Sequence, residues 1–147
     1  MKLLQFVTMV FTALALIPAG AHFFELPNKI HLAQNDYFIV QNIYRGWALF
    51  GVVLFGALLS NLALAVAMRG RGTPFALVAI SFLCQLATLI VFFLFTFPAN
   101  QATNNWTAVP ENWEALRRQW EYAHATNAVI AFAGFCALTL ALLTAKR

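Results

Sequence analysis

The chain has 147 residues, 62% of them hydrophobic and 10% charged, with a mean hydropathy of +0.75. Soluble domains are about 45–50% apolar and about 25% charged, so this composition excludes an ordinary water-soluble fold and indicates one membrane domain over residues 1–147. The net charge of +4 is spread along the chain with no basic run, which excludes nucleic acid as a partner.

Four apolar runs, roughly 3–24, 47–68, 75–97 and 122–145, reach the ~20 residues that a helix needs to cross a bilayer. They predict an all-α, four-span antiparallel transmembrane helix bundle. The first run also resembles a secretory leader, because Lys2 precedes it and Ala19-Gly20-Ala21 fits a small-x-small cleavage site. Cleavage there would leave His22 as a new N-terminus. The length of the run, with Gln5, Thr8 and Thr12 along one side, favours an uncleaved span.

Pro27 is expected to end the first helix. Asn35 and Asp36 suit an N-cap, and from Tyr37 the pattern reads as one long helix to Met68. Arg69 to Pro74 is a short turn, which makes the second and third spans a hairpin. A connection starts at Pro98. A fourth helix is expected from about Pro110 to Ala145, with Glu111 and Glu114 at the positive end of its dipole. Gly56 with Ser60, Ala63 with Ala67, and the series Ala133, Ala137, Ala141 and Ala145 are small-residue stripes of the kind that let helices approach closely. Cys84 and Cys136 each stand alone in an apolar run and read as small buried hydrophobes.

The charges are segregated. Lys2, Arg69, Arg71, Lys146 and Arg147 fall on the side of the termini, and Lys29, Arg45, Arg117 and Arg118 fall on the other. This asymmetry, with two arginines in one compact loop, predicts cytoplasmic termini in the cell inner membrane. All five acids and all three histidines lie opposite the termini, as a polar cap.

The richest stretch runs from Trp113 to Asn127. On a helix Trp113, Arg117, Trp120, His124 and Asn127 share one face. Glu114 with Arg118 and Arg117 with Glu121 are spaced as solvated ion pairs. Trp113, Trp120, Trp47, Tyr37 and Tyr44 also suit interfacial anchoring. His124 and Asn127 fall about where the helix enters hydrocarbon, so they need polar company or a wet cavity. His22-x-x-Glu25 and Glu121-x-x-His124 carry mirrored spacing, and their four side chains are expected to meet Arg117 at one cavity. That spacing offers an alternative reading as a metal site, with His31, Asp36 or Glu114 as further ligands, or as a haem site on His22 and His124.

The stretch from Asn104 through Trp113, Arg117, Arg118, Trp120, Glu121 and His124 resembles the anthrone-oxygenase-like family of small four-helix membrane proteins. The resemblance rests on an asparagine after the third span and an Arg-x-x-Trp-Glu-x-x-His pattern opening the fourth. Family members often carry arginine where this chain has Asn127. The resemblance implies oxygen-dependent oxidation of a lipophilic polycyclic phenol. His124 would be the base, Arg117 an oxyanion stabiliser, Glu121 a further site residue, and Trp113, Trp120 and Asn127 would bind substrate. The sequence has no glycine motif for a nucleotide, so a nicotinamide or flavin is not expected. Membrane lipids and a lipophilic small molecule are the expected partners. A non-enzymatic module that binds lipid or a protein partner, and an oligomer, are the remaining readings.

Overall fold

The computed structural model describes residues 1–145; Lys146 and Arg147, counted above on the side of the termini, lie outside the described residues. Six helices follow one another with no strand among the described residues. They are α1 (Lys2–Lys29), α2 (Gln34–Gln41), α3 (Phe50–Ala67), α4 (Thr73–Val91), α5 (Phe97–Ala102) and α6 (Trp113–Thr144). Short tight helical turns at Asn42–Tyr44 and Trp47–Leu49 link α2 to α3. A wide helical turn, Phe92–Thr96, joins α4 to α5 into one rod.

Four helical rods, Lys2–Lys29, Trp47–Ala67, Thr73–Ala102 and Trp113–Thr144, are long and apolar enough to cross a membrane. They form a closed up-and-down ring in which α1 and α4 each pack against both α3 and α6. Leu3, Phe6, Ile17, Val52, Phe132 and Leu143 project from the outer surface, as suits contact with lipid tails. α1 and α6, of 28 and 32 residues, are about 42 and 48 Å long at ~1.5 Å per residue, longer than a hydrocarbon core of ~30 Å.

The expected continuous helix from Tyr37 to Met68 is broken. Arg45 is extended at ψ 123°, and Gly46 takes φ +88°, where a side chain would be strained. The chain turns there, so α2 folds back over the mouth of the bundle. α2 begins after Ala33 without a side-chain cap, so Asn35 and Asp36 lie inside it. Pro27 does not end α1, which runs on to Lys29. A proline removes only one donor and one acceptor pairing, and a helix end tolerates that loss.

The third rod likewise passes Pro98 and ends at Ala102. Pro98 has no amide to give, and just before it the amide of Phe97 reaches back five residues to the Phe92 carbonyl. The Gln119 side chain donates to the Phe95 carbonyl of that turn at 2.8 Å. Pro110 precedes the last helix, which starts at Trp113.

The packing stripes are partly displaced from the expected ones. Ser60, Ala137 and Ala141 are buried, whereas Ala63, Ala67 and Ala133 face outward. Gly134 supplies a closer contact, because a Cβ there would come within 2.8 Å of Cys84 Cβ. Gly56 faces the Phe11 ring. At the end of the termini Leu64, Met68, Val78, Leu138 and Ala141 form a closed core.

Candidate functional site

The opposite end is open. A cavity of about 710 Å3 is lined by α1, α3, the α4–α5 rod and α6. Its upper wall carries His22 and His124 beside Trp47 and Trp120. α1 presents His22 one turn after Pro18 and two turns after Ala15, which also line the cavity. α6 presents Trp120, His124, Asn127 and Ala131 down one stripe at helical spacing. The two imidazoles stack at 3.9 Å between ring centres, and Trp120 packs against both, at 4.2 Å from His124 and 5.0 Å from His22. No hydrogen bond reaches either ring nitrogen of His124 among the described residues.

Behind the histidines lies a buried charge network. His22 Nδ1 is 2.8 Å from Glu25 Oε1, and that same oxygen also accepts from Lys29 and from the Tyr44 hydroxyl. Lys29, only 3% exposed, sits between two carboxylates, 3.4 Å from Glu25 and 3.1 Å from Glu121. Its ammonium also lies 4.2 Å above the Tyr44 ring and 4.5 Å above the Trp120 ring. Glu121 is fully buried and accepts a 2.9 Å bond from the Tyr37 hydroxyl, which in turn accepts from Gln41. Burial pushes both phenols far above their ordinary range, with the Glu121 charge adding to the effect at Tyr37 and the bond to Glu25 at Tyr44. Both therefore remain hydrogen-bond donors.

Of the residues that the sequence singles out, His22, Trp120, His124 and Asn127 line the cavity. Glu25 and Glu121 stand behind its wall and hold the network. Arg117 is elsewhere: it donates to the Leu32 carbonyl at 2.7 Å and stacks over Trp113 at 4.6 Å, pinning the loop after α1. It makes no ion pair with Glu121, whose charge Lys29 takes instead. Trp113 packs with Tyr37 and Phe38 beneath α2. Glu114, Arg118, His31 and Asp36 are exposed. Asn104 is exposed as well, in a turn where Asn104, Asn105 and Trp106 all take positive φ. Asn100 does the inward work: its Oδ1 accepts from the indoles of Trp120 at 2.8 Å and Trp106 at 3.1 Å.

Lys29, Tyr37, Gln41, Tyr44 and Asn100 were not singled out as site residues. Lys29 carried a signal, since it follows His22 by seven and Glu25 by four and so shares their helix face.

The alternative ligand set does not surround one point. Lys29 fills the space between Glu25 and Glu121, and no three His, Cys, Asp or Glu side chains are arranged to hold a metal among the described residues. Neither a family model, nor a curated protein, nor a solved structure matches this chain.

Proposed function

We propose that this is an inner-membrane oxygenase that takes a flat lipophilic aromatic of the anthrone class into the cavity and oxidises it without a bound cofactor. The observation that carries the reading is the stacked His22–His124 pair in the wall of an aromatic-lined, membrane-level cavity.

The chemistry follows from the residues. Glu25 accepts at His22 Nδ1, which sets the tautomer that leaves Nε2 free as an acceptor. His124 lines the cavity with no hydrogen bond to its ring among the described residues, and it acts as the base. A proton leaves the substrate's methylene carbon for the imidazole, and the charge moves to the carbonyl oxygen across the ring. The electron-rich carbon passes electrons to dioxygen and forms a hydroperoxide. Loss of water then leaves a second carbonyl. One dioxygen is consumed per turnover, with one of its atoms in the product and the other in water. Trp47 offers an aromatic face in the cavity wall for stacking the rings. The Lys29 network holds the helix ends that carry both histidines.

The test is conversion of anthrone to anthraquinone by purified protein in nanodiscs under isotopically labelled oxygen. The expected product carries one labelled atom, forms faster than without protein and is unaffected by chelator. Binding without conversion would make the protein a carrier of such molecules instead. The proposed orientation places the termini in the cytoplasm. Thr107→Cys, on the cavity side, should react with an external thiol reagent in intact cells while Arg71→Cys is protected, and the reverse pattern would invert the protein.

A further inference from the structure

The cavity has a second polar pole that the proposed chemistry does not use. Gln85, on α4, is 2% exposed and lines the cavity, yet its side chain makes no hydrogen bond among the described residues and its Nε2 is buried without a partner. Nearer the histidines, Asn127 donates from Nδ2 to the Thr88 carbonyl at 3.1 Å, which leaves its Oδ1 buried and unpartnered. Two amides orphaned at membrane depth are costly unless something that enters the cavity satisfies them.

The position of this pole is defined by the helices. Gln85 Nε2 lies 3.5 Å from the point where a Gly134 Cβ would stand, which places the amide at the level of Gly134 on α6. Gly134 follows His124 by ten residues on α6, about 15 Å of helix rise.

Resting on the reading of the cavity as an aromatic site, we infer that Gln85 is a specificity-determining residue that binds an oxygen at the far end of the ligand. The histidines meet the reacting carbon of the central ring, and Gln85 meets a phenolic hydroxyl on a terminal ring. A carboxamide both donates and accepts, which suits a hydroxyl.

The test compares anthracene with the phenol made by hydroxylating its terminal ring. Binding is read by quenching of Trp47 and Trp120 fluorescence in nanodiscs. Wild-type protein should bind the phenol about tenfold more tightly, the size expected when a buried amide gains or lacks its partner. Gln85→Met, similar in shape and apolar, should bind anthracene as well as wild type does and bring the two affinities within about twofold. Equal affinities in wild type, or a preference that survives in Gln85→Met, would overturn the inference alone. Should Gln85→Met bind neither ligand, Gln85→Asn decides, since it keeps an amide but withdraws it by one methylene; an undiminished preference there overturns the inference. If wild type binds neither ligand, the aromatic-site reading fails and the inference falls with it.

Discussion

The two ends of the bundle bury polar groups in opposite ways. At the end of the termini the polar side chains mostly bond to their own helix or across one contact. Thr8 donates to the Leu4 and Ser60 carbonyls, and Asn61 donates to Thr12 and to the Ala57 carbonyl. The surrounding side chains are apolar and closed. At the mouth the bonds join distant segments, Tyr37 to Glu121, Lys29 to Tyr44 and Arg117 to Leu32. One end is therefore held by close packing. The other is held open around a cavity by charges that must stay paired. A bundle closed at one end and strapped at the other can keep a ligand-sized space at membrane depth without collapsing.

The largest effect should come from unpairing the strap. Lys29→Met leaves Glu25 and Glu121 facing each other, and breaking a buried pair typically costs about 3–5 kcal/mol. A steep drop in melting temperature in detergent is expected. An unchanged value would mean that water already screens the mouth, and the contrast between the ends would disappear. Lys29→Met combined with Glu121→Gln should recover part of the loss.

A smaller effect is expected where packing alone holds the helices. Gly134→Ala forces a Cβ against Cys84 and Ala137→Leu overfills a buried position, each at about 1–3 kcal/mol. Ala133→Leu, on the outward face four residues before Ala137, should leave the melting temperature unchanged. Equal losses at 133 and 137 would mean that the stripe is not an interface.

Smaller still are changes on the rim. Glu114→Ala and Arg118→Ala remove exposed charges that form no ion pair with each other among the described residues, so each should stay within about 0.5 kcal/mol. The phenol network gives a spectroscopic contrast. Tyr37 and Tyr44 should remain protonated as pH passes the ordinary tyrosine value of 10.0, so the phenolate absorbance should account for fewer than three tyrosines until the protein unfolds. Because the unfolded chain would release those protons first, stability should fall as pH rises above that value. Full ionisation of a folded protein would place both hydroxyls in water.

Much of this architecture is legible in the chain. Runs of about 20 apolar residues declare the spans, and the one-sided distribution of acids and histidines declares the polar end. Helical spacing also put Trp120, His124 and Asn127 on one face, and all three line the cavity. Spacing reports which way a residue faces, but not what it meets. Arg117 and Glu121 are four apart, yet each bonds to a different segment, because the Gly46 turn folds α2 back over the mouth and brings Tyr37 and Gln41 to Glu121. Nothing local distinguishes Asn100 from Asn104. The first lies on the last turn of the third rod and faces Trp120, and the second lies past it in an exposed turn. Gln85 is hidden for a similar reason, as a single amide in an apolar run whose place in the cavity wall is set by the other helices around it.

The most direct measurement is the oxygen-dependent rate of anthrone conversion in nanodiscs for wild type, His124→Ala, His22→Ala and Glu114→Ala, with melting temperature and fluorescence confirming that each is folded. The expected result is a loss of about a hundredfold or more at His124. His22→Ala should also lose rate, the double histidine variant should be little worse than the more affected single one, and Glu114→Ala should match wild type. Conversion that survives loss of both histidines, or that never exceeds the rate without protein, would contradict the assignment of the stacked pair as the base.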